Sequence, residues 1–165
     1  MKKMLLGLLT LLFSTGLFAQ SNKEDIDMIQ AMYGKNKKDL VNEYMQLGAA
    51  DSSKFWKLYD EYEVARKGLG KERIALLEDY ANNYDKLNDQ KAITLTEKFM
   101  ALNMKYTQFQ QTYFKKFSAT MGGLKAAKFF QLENYFESAI RFAIQDHIPF
   151  IGNLEMQRKQ QPAKN

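Results

Sequence analysis

Apolar residues recur along most of the chain at steps of three and four, the spacing that places them on one face of an α-helix. The clearest stripe starts after Asn88, a good N-cap residue that is followed by Asp89 in the first turn. Its members alternate steps of three and four over three heptads: Ala92, Leu95, Phe99, Leu102, Tyr106, Phe109 and Tyr113. Because such a stripe faces one neighbour along its whole length, we predict a long helix packed against a single partner helix.

The partner helix is predicted over about residues 51–87, and the short turn after it requires antiparallel packing. Arg66 and Arg73 interrupt its stripe, so we expect the apolar seam to shift by one residue there. Gly68 and Gly70 predict a bend or break in the middle of this helix, since each glycine costs about 1 kcal/mol in a helix interior. The packing seam predicted for this helical hairpin consists of Phe55, Tyr62, Leu69, Leu95, Phe99, Leu102, Tyr106, Phe109 and Tyr113.

A further helix is predicted over about residues 124–145, after two adjacent glycines that can end the preceding helix. Residues 20–47 have a weaker apolar pattern and are predicted to form a loosely attached N-terminal helical segment. The polar stretch 152–165 is predicted to be a disordered tail. The predicted fold class is therefore all-α, an elongated antiparallel helical hairpin or bundle of about four helices. The first of them is loosely attached, and residues 48–151 form the hairpin domain with the C-terminal helix.

Residues 1–19 have the layout of a secretory signal peptide. Lys2 and Lys3 precede an apolar stretch over residues 4–13, and the small residue Ala19 offers a cleavage position. The apolar stretch is shorter than the roughly 20 residues of a transmembrane helix, so we expect no stable membrane span after cleavage. The mature protein is then expected in the periplasm.

The amino-acid sequence contains few of the residue combinations that commonly take part in catalysis. The chain has no cysteine, which excludes thiolate metal sites. Its single histidine, His147, is interpreted as a residue at the C-terminal end of a helix, where its charge suits the helix dipole, and not as part of a catalytic triad. Neighbouring acids such as Asp60 and Glu61 point about 100° apart on a helix and do not converge. Cleavage would leave 22 basic and 19 acidic residues, too small an excess to indicate nucleic acid. We expect a non-enzyme without cofactor, metal or nucleic-acid partner.

Two features point instead to protein binding. Between residues 91 and 128 seven lysines accompany a single acid, which predicts a lysine-rich flank, although a merely solvated face fits the same pattern. Aromatic residues are also dense over 109–142, and they form either a compact core or an exposed or self-associating surface. The candidate client-binding residues are Lys105, Phe114, Lys115, Lys116, Phe117, Lys125 and Lys128.

Two motifs are similar to those of the Spy-like periplasmic proteins, a superfamily of exported helical chaperones and stress sensors that includes CpxP. They are Phe55-Trp56-x-x-Tyr59-x-x-Tyr62 and the run Ala127-Lys128-Phe129-Phe130-Gln131-Leu132-Glu133-Asn134. The Leu-Thr-x-x-Gln motif of that family is not reproduced, because Leu87 is followed four residues later by Lys91. The resemblance implies a curved helical cradle, usually dimeric, that holds client proteins on a basic and apolar concave face.

These observations favour an ATP-independent, chaperone-like protein that binds unfolded or amphipathic proteins during envelope stress. An alternative is a regulatory protein that docks on a membrane sensor or anti-sigma component. A structural homodimer without clients is the third interpretation.

Overall fold

The computed structural model describes residue 32 and residues 34–145 and 148–160. This part of the chain is all-helical, and the all-α prediction is confirmed. Its five α-helices are α1 (Lys37–Met45), α2 (Ala49–Asn82), α3 (Asp89–Met121), α4 (Gly123–Gln145) and α5 (Pro149–Gln160), and a 3₁₀ turn at Tyr84–Lys86 lies between α2 and α3. None of these described helices is long and apolar enough to cross a membrane. The predicted signal peptide and His147 lie outside the described residues.

Both ends of α3 are set by local chemistry. The side-chain oxygen of Asn88 accepts a hydrogen bond from the backbone N–H of Lys91 at 2.9 Å, which caps the first turn. Gly122 ends the helix with φ 87°, a left-handed conformation that glycine adopts without steric cost. Because α4 begins at the next residue, Gly123, the two helices are joined without a loop.

α2 runs unbroken for 34 residues through Gly68 and Gly70, so the break expected there is wrong. The two glycines cost roughly 2 kcal/mol together, and packing of the helix along α3 outweighs that cost. The helix ends earlier than predicted, where the side-chain amide of Asn83 donates to the carbonyl of Asp79 at 2.8 Å.

The order of contacts along the helices defines their directions. α2 and α3 are antiparallel, because the ion pairs between them run in opposite order along the two helices: Glu61 pairs with Lys116, Glu72 with Lys105 and Asp79 with Lys91. α3 and α4 are also antiparallel, with ring contacts between Phe117 and Phe129 and a hydrogen bond between Gln110 and Asn134. α4 therefore runs parallel to α2.

Most buried apolar side chains gather at one end of the molecule. This core consists of Leu40, Val41, Met45, Phe55, Tyr59, Tyr62, Tyr113, Phe117, Met121, Ala126, Phe129, Phe130, Phe136 and Ile140. We call the region where α1, α2, α3 and α4 share this core the bundle end. The rest of α2 and α3 with their connection, residues 67–105, is called the hairpin arm, and its buried residues among those described are Leu95 and Leu102.

Two expectations about the flanking segments differ from the structure. Residues 37–45 are not loosely attached, because Leu40, Val41 and Met45 of α1 belong to the core. Residues 152–160 continue the helix α5 instead of forming a disordered tail. Pro149 suits the first helical position, and the guanidinium of Arg158 lies 5.9 Å from the ring of Phe142. Residues 161–165 lie outside the described part.

Candidate functional site

Three of the five candidate client-binding lysines are joined to acids of α2. Lys105 pairs with Glu72 at 2.9 Å, and Lys116 pairs with Glu61. Lys125, at the start of α4, pairs with Asp51 in the first turn of α2. Each of these three pairs contributes little to stability, because all three lysine side chains are about half exposed to water.

The other candidate residues are divided between surface and core. Lys115 and Lys128 are exposed, and Phe114 is 39% exposed while its ring lies edge-on against Phe130. Phe117 is fully buried in the core, so its assignment to a client-binding surface is wrong. Its position in the stripe, four residues after Tyr113, places it on the inner face of α3.

The predicted packing-seam residues all lie on the inner faces of α2 and α3. Phe55, Tyr62, Leu95, Leu102, Tyr106 and Tyr113 are buried, and Leu69, Phe99 and Phe109 are partly buried. The seam does not shift at Arg66 as expected, because the Arg66 side chain is itself buried on the stripe. Its charge is accommodated by partners that the sequence alone does not reveal.

Most of the dense aromatic group forms the core. Phe117, Phe129 and Phe130 contact one another through their rings, and Tyr62 contacts all three. The compact-core interpretation therefore holds for these residues. Tyr135 and Phe142, seven residues apart on α4, remain 59% and 54% exposed.

A separate apolar stripe lies on the outer face of α3. Ile93, Met100 and Met104 are 53%, 60% and 62% exposed, and their spacing of seven and four residues places them on one helix face. This face is opposite Leu95 and Leu102, which pack inward. We call these three residues the outer stripe.

A groove of about 370 Å³ also opens on the hairpin arm. Its apolar wall is formed by Leu76, Ala101 and Leu102, and its charged lining residues are Glu72, Asp79, Lys98 and Lys105.

A buried ionic cluster lies where α1, α2 and α4 meet. The Lys37 ammonium is 2.7 Å from Glu133 Oε2 and 2.8 Å from Glu63 Oε1. Arg66 Nε donates to Glu63 Oε1 at 3.0 Å, and the Tyr62 hydroxyl donates to Glu133 Oε2 at 2.9 Å. We call these five residues the ionic cluster. Its four charges balance, with two cations facing two carboxylates.

The two carboxylates of the cluster have opposite pKa shifts. Complete burial raises the pKa of Glu133 above its usual value, despite the neighbouring Lys37. Burial would also raise the pKa of Glu63, but Lys37 and Arg66 together outweigh it and lower that pKa to about 2. Glu133 Oε1 is buried without a hydrogen-bond partner in the described part of the chain. The cluster therefore depends on Lys37 to keep Glu133 charged in a dry environment.

Further polar residues continue from the cluster toward the hairpin arm. Arg141 Nε lies 2.6 Å from Glu137 Oε1 on α4, and Arg73 lies 4.0 Å from the same carboxylate. Together with Arg66 and Tyr106 they line a cavity of about 20 Å³, enough room for one water molecule. The described residues contain no group of three or more His, Asp or Glu side chains arranged to hold a metal ion.

The ionic cluster was not predicted, although one signal for it is present in the sequence. Glu133 occupies a helix face between Phe129, Phe130 and Phe136, where a carboxylate is out of place unless it is paired. Its partner Lys37 is 96 residues away, so spacing could not identify it.

Comparisons with protein-family models, with curated proteins and with solved structures found no match to this chain, and the resemblance to the Spy-like family stays a prediction.

Proposed function

We propose that the protein is an exported, ATP-independent binding protein of chaperone type that holds unfolded or amphipathic proteins in the periplasm. The observation that carries this proposal is the outer stripe, in which three large apolar side chains are more than half exposed on one face of α3. Exposed apolar surface is costly in water and is typical of protein-binding faces. No catalytic role is part of the proposal.

The chemistry of the outer stripe suits clients of varied shape. Two of its three members, Met100 and Met104, have flexible and polarisable side chains that adapt to irregular apolar partners. Exposed Lys115 lies on the same helix, eleven residues after Met104, and adds attraction for acidic segments. The proposal includes the curved cradle and the homodimer that the resemblance to Spy-like proteins implies.

The direct test is suppression of aggregation of a chemically denatured model protein by the mature chain, residues 20–165. The triple variant Ile93→Ser, Met100→Ser and Met104→Ser should require about tenfold more protein for half-maximal suppression, since each 1.4 kcal/mol of lost binding energy is a factor of ten. The matched control is Val64→Ser with Leu124→Ser, which are 75% and 88% exposed outside the stripe. Absence of suppression by the unmodified chain at several-fold molar excess would overturn the proposal.

The contribution of positive charge to client binding is tested at Lys115 and Lys128, which, unlike Lys105 and Lys116, are not paired with acids of α2 in the described structure. Lys115→Glu and Lys128→Glu should weaken suppression of acidic clients, and added salt should abolish the difference. Lys105 and Lys116 are unsuitable for this purpose because they pair with α2. Affinity capture from envelope extract separates the alternatives: many unrelated clients support the chaperone, one sensor or anti-sigma protein supports a regulator, and self-association alone supports a structural dimer.

A further inference from the structure

α1 lies in a groove between α2 and α4. Its inner face presents Leu40, Val41 and Met45 to the core, while Lys37 inserts between carboxylates of α2 and α4. Lys38, beside it, pairs with Asp60 on α2 at 2.9 Å. We call the surface that α1 covers the α1 groove.

In the described part of the chain, α1 is held in place by these contacts and by the Lys38 ammonium, which lies 5.1 Å from the ring of Trp56. α1 is nine residues long, and helices of that length are not stable in water on their own. Three residues, 46–48, connect it to α2, and the first of them, Gln46, has a positive φ of 46° that breaks the helical path. α1 therefore resembles a tethered ligand whose helical form depends on the groove.

The α1 groove has a chemistry that specifies its occupant. Its apolar part takes aliphatic side chains, and its other end contains Glu63 and Glu133 with Arg66 as the neighbouring cation. Departure of Lys37 would leave two carboxylates with one cation, and Glu133 would lose its only ion-pair partner in the described residues. A replacement occupant must therefore bring a positive charge to the same place.

We infer that the α1 groove is a binding site for amphipathic helices of other proteins, and that α1 is its built-in competitor. The helices it accepts carry Lys or Arg followed by aliphatic residues at positions +3, +4 and +8, as Lys37 is followed by Leu40, Val41 and Met45. This inference rests on the proposed function and adds a second, gated site to the outer stripe. A client binds there when it displaces α1.

The test uses a fluorescent synthetic peptide with the sequence of residues 35–48 and measures anisotropy with the full mature chain. The double variant Leu40→Ser and Val41→Ser frees the groove, so the peptide should bind at least about tenfold more tightly than to the unmodified chain, because the competent fraction rises. Lys37→Gln is the milder second variant if circular dichroism shows that the first one unfolds.

Specificity is tested on the peptide itself. Replacing its Lys37 by Glu should abolish binding, because a third carboxylate would meet Glu63 and Glu133. The same charge change at Lys35 is the control, since Lys35 pairs with Glu43 within α1 and is exposed. In the protein, Glu133→Gln should reduce the preference for Lys over norleucine at this peptide position.

The converse experiment prevents α1 from leaving the groove. The chain has no cysteine, so Lys38→Cys and Asp60→Cys can be bridged selectively by a short bis-thiol reagent. The bridged protein should bind no peptide, and the same variant without the reagent is its control. Equal binding by bridged and open proteins would overturn the inference, as would a Lys37→Glu peptide that binds as well as the original.

Failure of this inference can be distinguished from failure of the proposed function. If aggregation suppression persists while no peptide binds the opened chain, the groove is not a helix site and the outer stripe remains the client surface. If the opened chain doubles in mass, the groove takes α1 of a second copy, and a foreign client is excluded. If neither suppression nor peptide binding occurs, both proposals are wrong.

Discussion

The bundle end and the hairpin arm are made from the same two long helices but differ in what surrounds them. At the bundle end α1 and α4 cover α2 and α3, and aromatic rings fill the space around Tyr62 and Phe117. In the hairpin arm Leu95 and Leu102 are the buried residues, and Met100 and Met104 face water. The bundle end thus contains most of the buried contacts that stabilise the fold, and the hairpin arm contributes exposed apolar surface.

Charged residues show the same difference. In the ionic cluster the partners are shielded from water, so loss of one partner leaves a buried charge. In the hairpin arm the pair between Lys105 and Glu72 is more than half exposed, so water replaces a lost partner. Ion pairs with similar distances in the two regions therefore differ greatly in how much stability is lost when one partner is removed.

The largest effect should come from the aromatic core. Phe117→Ala should lower the free energy of unfolding by about 3–5 kcal/mol, because a fully buried ring leaves a cavity. Phe114→Ala, on the same helix but 39% exposed, is the matched control and should cost much less. Urea denaturation followed by circular dichroism measures both, and similar losses would show that the two rings are equally buried.

The ionic cluster should give the next largest effect. Lys37→Ala should cost about 3 kcal/mol at neutral pH, because Glu133 is left buried without its cation. The control is Lys38→Ala, whose exposed pair with Asp60 should contribute less than about 1 kcal/mol. The deficit of Lys37→Ala should shrink as the pH falls, since Glu133 can then take up a proton. A loss that is equal for both variants would contradict the role given to burial.

The pH dependence of stability isolates Glu63. Its pKa of about 2 lies below the usual 4.5, so the stability it contributes is present above pH 4.5 and is lost as the pH falls toward 2. The loss should amount to at most about 3 kcal/mol, and Glu63→Gln should remove most of this acid-sensitive portion. Glu133, with a raised pKa, contributes in the opposite direction, because protonation favours its folded state. Denaturation curves between pH 2 and 7 check the difference between the two proteins.

The smallest effect is expected in the hairpin arm. Lys105→Ala should change the free energy of unfolding by less than about 1 kcal/mol, and 0.5 M salt should remove most of that change. Lys91→Ala, at the distal pair with Asp79, should behave likewise. A decrease of several kcal/mol in the free energy of unfolding of either variant would mean that the ion pairs of the hairpin arm are as shielded from water as those of the bundle end.

The parts that sequence predicts well are those whose cause is local. The stripe from Leu95 to Tyr113 and the cap at Asn88 both lie within one helix, and α3 begins and ends close to where they require. The position of Gly122 similarly fixes the junction with α4. Period and capping chemistry are sufficient for such features because they need no knowledge of distant residues.

The parts that sequence misses depend on distant partners. Arg66 was expected to displace the seam, yet it stays on the stripe because Glu63 and the nearby cluster compensate its charge. α1 was expected to be loose because its stripe is short, yet a groove built by two other helices buries it. The candidate site was predicted only in part for the same reason: residue type identifies lysines and aromatics, whereas burial decides that Phe117 packs inward.

The position of α1 between α2 and α4 also constrains the order in which the chain can assemble. α1 is the first of the described helices to be synthesised, but its groove is complete only after residues near Glu133 have followed. Contacts of α2 with α3 and of α3 with α4 join consecutive helices and can form early, whereas Lys37 must close a loop of 96 residues. Of the described helices, the one that is synthesised first is therefore the last to find its place, and until then the surface it covers is open to any other helix nearby.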